Sequence, residues 1–152
     1  MTNLNDSANG ADPHDLERFV EAQAIAYERA LAELADGQKR SHWMWYVFPQ
    51  LDGLGLSSIS RRYAIKTIGE ARAYLLHPVL GPRLTSCAEA ALRIQGRSAE
   101  DVFGYPDDMK LKSCATLFAC ASMEGSVYHR LLDKYFHGER DLKTVELLSI
   151  AP

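Results

Sequence analysis

Apolar residues recur at helical spacing along most of the chain, punctuated by capping residues, prolines and glycines. Asp12 as N-cap, Pro13 at the first helical position and acids at Asp15 and Glu17 predict a helix over 13–36. Its stripe is Leu16, Phe19, Val20, Tyr27, Ala30, Leu31 and Leu34, and Gly37 is placed to end it. Thr67 with Glu70 reads as a capping box for a short helix through Leu76. Pro78 opens the next, which carries Val79, Leu80, Leu84, Cys87, Ala88, Ala91 and Leu92 to a stop at Gly96. Ser98 with Asp101 caps a single turn ending at Gly104. From Pro106 to about Ser122 the pattern is apolar nearly all round, with Met109, Leu111, Cys114, Leu117, Phe118 and Cys120, as in a central helix. Two last helices fall over 126–137 and 141–148. No strand, internal repeat or low-complexity linker is evident. The pattern predicts an all-α, single compact domain of about seven helices over 12–152, preceded by a small, polar and disordered tail over 1–11.

Some residues sit against this pattern. Gln23 falls in the middle of the first apolar stripe, where its amide either makes a core hydrogen bond or points into a cavity holding a polar ligand. Residues 41–50, Ser-His-Trp-Met-Trp-Tyr-Val-Phe-Pro-Gln, contain both tryptophans and neither alternate like a strand nor carry turn signals. They read as an aromatic core plug, or as a pocket wall in which Trp43, Trp45 and Tyr46 stack on a flat ligand with His42 at the rim. Asp107, Asp108, Lys110 and Lys112 open the central helix. The 107–110 and 108–112 pairs are spaced as surface ion pairs, and the alternative is that Lys110 reaches into a cleft. His77 before Pro78 reads as a helix cap, and His129 and His137 as solvated. Arg61, Arg62 and Lys66 form a basic run beside the loop Gln50-Leu-Asp-Gly-Leu-Gly-Leu-Ser. It is a solvated surface or a phosphate contact.

Composition narrows the classes. At 152 residues with 47% apolar and 24% charged residues, the chain forms a core without metal or disulfide support. A formal charge of −3 argues against non-specific binding to a nucleic-acid backbone. Cys87, Cys114 and Cys120 are odd in number and lack C-x-x-C spacing, no secretory signal precedes them, and no apolar run is long enough to span a membrane. Reduced thiols in a bacterial-type cytoplasm are the expectation, with no cofactor and no metal, since His and Cys never cluster at ligand spacing. No Ser-His-Asp ordering or glycine-elbow serine supports a familiar hydrolase, and Gly53-Leu54-Gly55 is no dinucleotide fingerprint.

The run Ser41–Gln50, Gly53-Leu54-Gly55, His77-Pro78-Val79-Leu80-Gly81-Pro82-Arg83-Leu84, Asp108-Met109-Lys110-Leu111 and Thr116-Leu117-Phe118 resemble a bacterial family, domain of unknown function 1810, over about residues 15–148. The resemblance implies an all-α fold and brings no activity with it. Members are sometimes labelled calpastatin. A calpain inhibitor of that kind is a disordered repeat polypeptide, which a patterned core excludes.

A second similarity is to the NADAR proteins, of the YbiA type, which act on N-glycosidic bonds of ribosylated substrates. Glu17-Arg18-Phe19-Val20-Glu21-Ala22-Gln23 is similar to their Glu-His-aromatic-x-x-Ala-Gln pattern, with Arg18 in place of the histidine. His77-Pro78 through Arg83 is similar to a Ser-Pro…Gly-Arg stretch, and Asp107-Asp108-Met109-Lys110 to an Asp-x-x-Lys helix start. The tryptophan before that aspartate and the later Trp-Gly-Gly run are missing. This similarity implies an N-glycosidase or binder of ADP-ribosylated or nucleoside-type substrates. Glu17, Asp107, Asp108 and Lys110 would be its catalytic groups, and Gln23, His42, Trp43, Trp45, Tyr46 and Arg62 its substrate contacts. The competing expectation is a non-catalytic interaction or structural module with the aromatic segment as core. Convergence of Glu17, Gln23, His42 and Lys110 on one pocket would favour the enzyme.

Overall fold

The computed structural model describes residues 12–150, so the tail expected over 1–11 lies outside them. The fold is all-α. Nine helices occur among the described residues: α1 Glu17–Ala35, α2 Met44–Val47, α3 Ser58–Arg62, α4 Ile68–Leu76, α5 Leu80–Arg93, α6 Ala99–Phe103, α7 Asp107–Cys120, α8 Val127–Phe136 and α9 Leu142–Ile150. The β-type pairing among them is one isolated parallel bridge, Leu51 to Ile65.

Two helices beyond the seven expected are α2, in the aromatic segment, and α3, which follows the glycine loop. Each is too short to display a periodicity. α1 begins four residues later than its cap signals imply, because Asp15 adopts a left-handed φ of 52° and breaks the helical path. Asp12 still acts as a cap at a distance: its carboxylate accepts from the N–H groups of Leu16 and Glu17 at 2.6 and 3.1 Å. Thr67 forms half a capping box. Its hydroxyl accepts from Glu70 N at 3.0 Å, but Glu70 turns its carboxylate to Lys66 N and Arg18. His77 caps α5 as expected, its Nδ1 accepting from Val79 N and Leu80 N, and this moves the helix start from Pro78 to Leu80. The full capping box of Ser98 and Asp101 is present.

α5 and α7 form the centre. α5 packs against α1, α4 and α8, while α7 packs against α4, α6, α8 and α9. α7 buries Leu111 and every residue from Ser113 to Ala119, as its all-round apolarity requires. α8 is one-sided and buries Val127, Tyr128, Leu131 and Leu132 against the pair. At Gly81 the backbone passes so close to its neighbour that a Cβ would lie 2.2 Å from the carbonyl oxygen of Leu75. Only glycine lets α5 turn back against the end of α4 there.

Candidate functional site

The aromatic segment divides into a core half and a rim half. Trp43 and Phe48 are each 1% exposed, with ring centroids 6.2 Å apart. The Trp43 indole N–H donates to Glu33 Oε1 at 2.8 Å, so the large ring is buried with its polar edge satisfied. Glu33 also accepts from the N–H groups of Arg40 and Ser41 and from the Ser41 hydroxyl. Burial acts to raise its pKa, but these bonds from Ser41, Arg40 and Trp43 outweigh it and hold the carboxyl at about 2. Trp45 and Tyr46 are half-buried and His42 is exposed. The Tyr46 ring stacks at a tilt on Tyr63, centroids 5.2 Å apart. Trp43 is therefore core, and Trp45 and Tyr46 are surface-reaching.

Gln23 takes the core alternative. It is 2% exposed, and its amide N–H groups donate to the Tyr46 carbonyl at 2.6 Å and the Tyr74 hydroxyl at 2.9 Å. Its amide oxygen receives a long contact of 3.5 Å from Arg83. Burial pushes the Tyr74 hydroxyl pKa up, against the Gln23 hydrogen bond, which lowers it.

The start of α7 forms a charged knot. Asp107 accepts from Lys39 at 2.8 Å and from Lys110 at 3.2 Å, so two ammoniums share one carboxylate. Lys39 is 7% exposed at its side chain, and it also donates to the Ser41 carbonyl and lies 5.0 Å from the Trp43 ring centroid. The Lys110 Nζ sits 4.7 Å over the ring of Trp45. Asp108 does not pair with Lys112: it accepts from Met109 N at 2.9 Å, and Lys112 reaches Glu139 at 3.7 Å instead.

Lys110 lines a cleft of about 330 Å3 between the glycine loop and the first turns of α7. Gln50, Gly55 and Ser60 form one wall, and Met109 and Ser113 the other. Asp141 and Lys143 at the start of α9 close the end. Loop and α3 approach so closely that a Cβ on Gly55 would meet Ser60 Cβ and Oγ at 2.6 Å. Asp141 Oδ2 is held by the Thr144 N–H and hydroxyl, and its own N–H donates to Thr116. The cations of the cleft are Lys110, paired with Asp107, and Lys143, paired with Glu146 at 3.4 Å, and its carboxylate is Asp141.

On the other side of α3 lies a second recess of about 630 Å3, lined by Arg61, Arg62, Lys66 and Thr67 together with His14 and Asp15. Its floor is Arg18, 8% exposed. The guanidinium donates to the carbonyls of Arg62, His14, Asp15 and Ala64 and to Glu70 Oε2, at 2.7–2.8 Å throughout. All five N–H donors are used.

The residues marked from sequence therefore do not converge. Glu17 is exposed on a third cavity, of about 1070 Å3, with Asp12, His14 and His77. Lys110 lines the glycine-loop cleft, and Arg62 the basic recess. Gln23 is sealed in the core and His42 faces solvent. The shared pocket expected for Glu17, Gln23, His42 and Lys110 is corrected, because Gln23 turns its amide inward to Tyr46 and Tyr74 while Glu17 and Lys110 open onto separate cavities. Lys39, Arg18, Glu33 and Ser60 went unmarked. Burial raises the Cys87 thiol to about 12 and Cys114 well above the usual range, so neither is a ready thiolate. Among the described residues, no three or more His, Cys, Asp or Glu side chains gather as for a metal ion. No helix among the described residues is long and apolar enough to cross a membrane.

The model of the protein family of unknown function DUF1810 matches residues 13–148. The chain belongs to that family. It is similar to the crystal structure of the conserved hypothetical protein Rv1873 from Mycobacterium tuberculosis, determined at 1.38 Å. The two are 51% identical with a TM-score of 0.90, over 92% of this chain and 100% of that one. No curated protein matches. These comparisons lend no support to the similarity with NADAR proteins, and the DUF1810 membership carries the fold without an activity.

Proposed function

We propose that the protein binds a small polar anion of nucleotide or ADP-ribose type in the glycine-loop cleft. The carrying observation is the charge of the knot beside it. Lys39 and Lys110 share the single carboxylate of Asp107, which leaves one positive charge in surplus in the knot, and Lys110 lines the cleft together with Lys143 and one carboxylate, Asp141. Partly shielded from water, that charge attracts an anion more strongly than a solvated lysine would. Ser60, Ser113 and Gln50 place neutral polar groups around it. A volume near 330 Å3 fits one ring-sized moiety, such as a ribose with its phosphate, with the remainder of the ligand outside.

The arrangement favours binding over glycosidic hydrolysis. Asp107 is held between two ammoniums, and Asp141 is engaged by Thr144, so neither carboxylate is poised to stabilise an oxocarbenium ion. Glu17 stands on a different cavity. The experiment is a thermal-shift comparison with ADP-ribose, ADP and ribose 5-phosphate on wild type and Lys110→Met. A ligand that prefers the folded state raises the midpoint. Stabilisation of wild type that the variant lacks supports the reading, and no stabilisation by any of the three defeats it.

A further inference from the structure

The basic recess across α3 is a separate feature, and the cleft proposed above makes no use of it. Arg61, Arg62 and Lys66 all line it, and among the described residues none of the three makes an ion pair. The acids in its lining are Asp15 and Glu70, and Glu70 is already committed to Arg18 at 2.8 Å. Counting Arg18, four cations line the recess with two carboxylates, and Glu21 acts on Arg62 from outside the lining, so at least one positive charge is in surplus. On a chain of net charge −3 this is a local reversal of sign.

The recess is also rigidly framed. Arg18 bonds the carbonyls of His14 and Asp15 on one wall and those of Arg62 and Ala64 on the other. One buried guanidinium therefore fixes the spacing of both walls. The N-terminal end of the nine-residue α4 opens beside it, with Lys66 and Thr67 in the lining, and the Thr67 hydroxyl proton is not engaged by the helix, since its oxygen accepts from Glu70 N. Cations that line one recess on a fixed frame suit a compact anion.

We propose that this recess is a phosphate-binding site for the terminal phosphate or pyrophosphate of a small molecule, held by Arg61, Arg62 and Lys66. The cations gather in one recess and do not form a stripe, and the remainder of the chain is net negative. Both facts favour a small dianion over a nucleic-acid backbone. The site is independent of the Lys110 cleft, which lies on the Ser60 side of α3.

Isothermal titration with inorganic pyrophosphate tests it, using wild type, the double variant Arg62→Glu/Lys66→Glu, and Lys110→Met. Arg62 and Lys66 are exposed, and Arg18 binds Arg62 through its backbone carbonyl, so the double variant retains the frame. Circular dichroism checks that it does. The expected result is saturable binding that weakens with added salt, falls by about tenfold or more in the double variant, and is unchanged in Lys110→Met. Three results overturn the proposal: no binding at millimolar pyrophosphate, binding undiminished by charge reversal, or loss in Lys110→Met alone. Binding of duplex DNA abolished by charge reversal, with no binding of pyrophosphate, overturns it as well.

Discussion

The indole nitrogen of Trp43 lies 2.8 Å from Oε1 of Glu33, and both residues are buried. The contact joins α1 to the aromatic segment ten positions later and settles the role of that segment's larger half. A carboxylate that takes the indole N–H, two backbone N–H groups and the Ser41 hydroxyl is fully occupied in building the fold.

Trp43→Ala is expected to destabilise the fold by about 3–5 kcal/mol, the range for truncating a core aromatic. Trp45→Ala should cost clearly less, since its ring is half-buried under Lys110. Urea denaturation of the two variants checks the difference. Equal losses would show Trp45 to be as deeply packed as its neighbour.

Glu33 makes stability sensitive to acid. Its folded pKa of about 2 lies below the ordinary value of 4.5, so its contribution is fully present above 4.5 and is lost as the pH falls toward 2. Glu33→Gln keeps the shape but removes the charge, and should lower stability at pH 7 while flattening its decline between those values. Denaturation midpoints across pH 2–6 for wild type and variant measure this directly. Parallel curves would remove Glu33 from the explanation.

Arg18→Met should be among the most damaging single changes. It leaves Glu70, 1% exposed, without its cation and removes the side-chain donor from four carbonyls, a loss of about 3–5 kcal/mol for breaking a buried pair. Arg18→Lys rescues little, because an ammonium cannot match the five-donor fork. In Arg18→Met/Glu70→Gln the second substitution should cost much less than it does alone, giving a positive coupling in a double-mutant cycle. Strict additivity would mean that the pair does not act as a unit.

Gly81→Ala should cost about 1–3 kcal/mol by overpacking, since the new methyl would fall 2.2 Å from the rigid carbonyl of Leu75. Calorimetric melting reads it. An unchanged midpoint would require the α4–α5 junction to yield without penalty.

The sequence made some of this legible and concealed the rest for physical reasons. Caps and breakers are local, so the capping box at Ser98 and the His77 cap could be read directly. Periodicity needs several turns, so α2 and α3, at four and five residues, left no pattern to detect. Gln23 was conspicuous because it interrupts an apolar stripe, yet its partners Tyr46 and Tyr74 come from distant segments. Arg18 gave the opposite signal. On a helical wheel it falls opposite Leu16 and Tyr27, a position normally given to solvent, and it is buried only because residues 62–70 fold over it. The candidate site was half visible. Lys110 stood out on a helix apolar all round, but Lys39, which completes the knot with Asp107, lies in a connecting segment with no pattern of its own.

The most direct test of anion binding in the glycine-loop cleft is to map where ADP-ribose perturbs the backbone amide and indole resonances of isotopically labelled protein. Binding in the cleft gives saturable shifts at Gly55, Ser60, Lys110 and Ser113 and at the Trp45 indole beside Lys110, with the Trp43 indole unmoved behind Glu33. Shifts confined to other parts of the surface, or none at millimolar ligand, would contradict it.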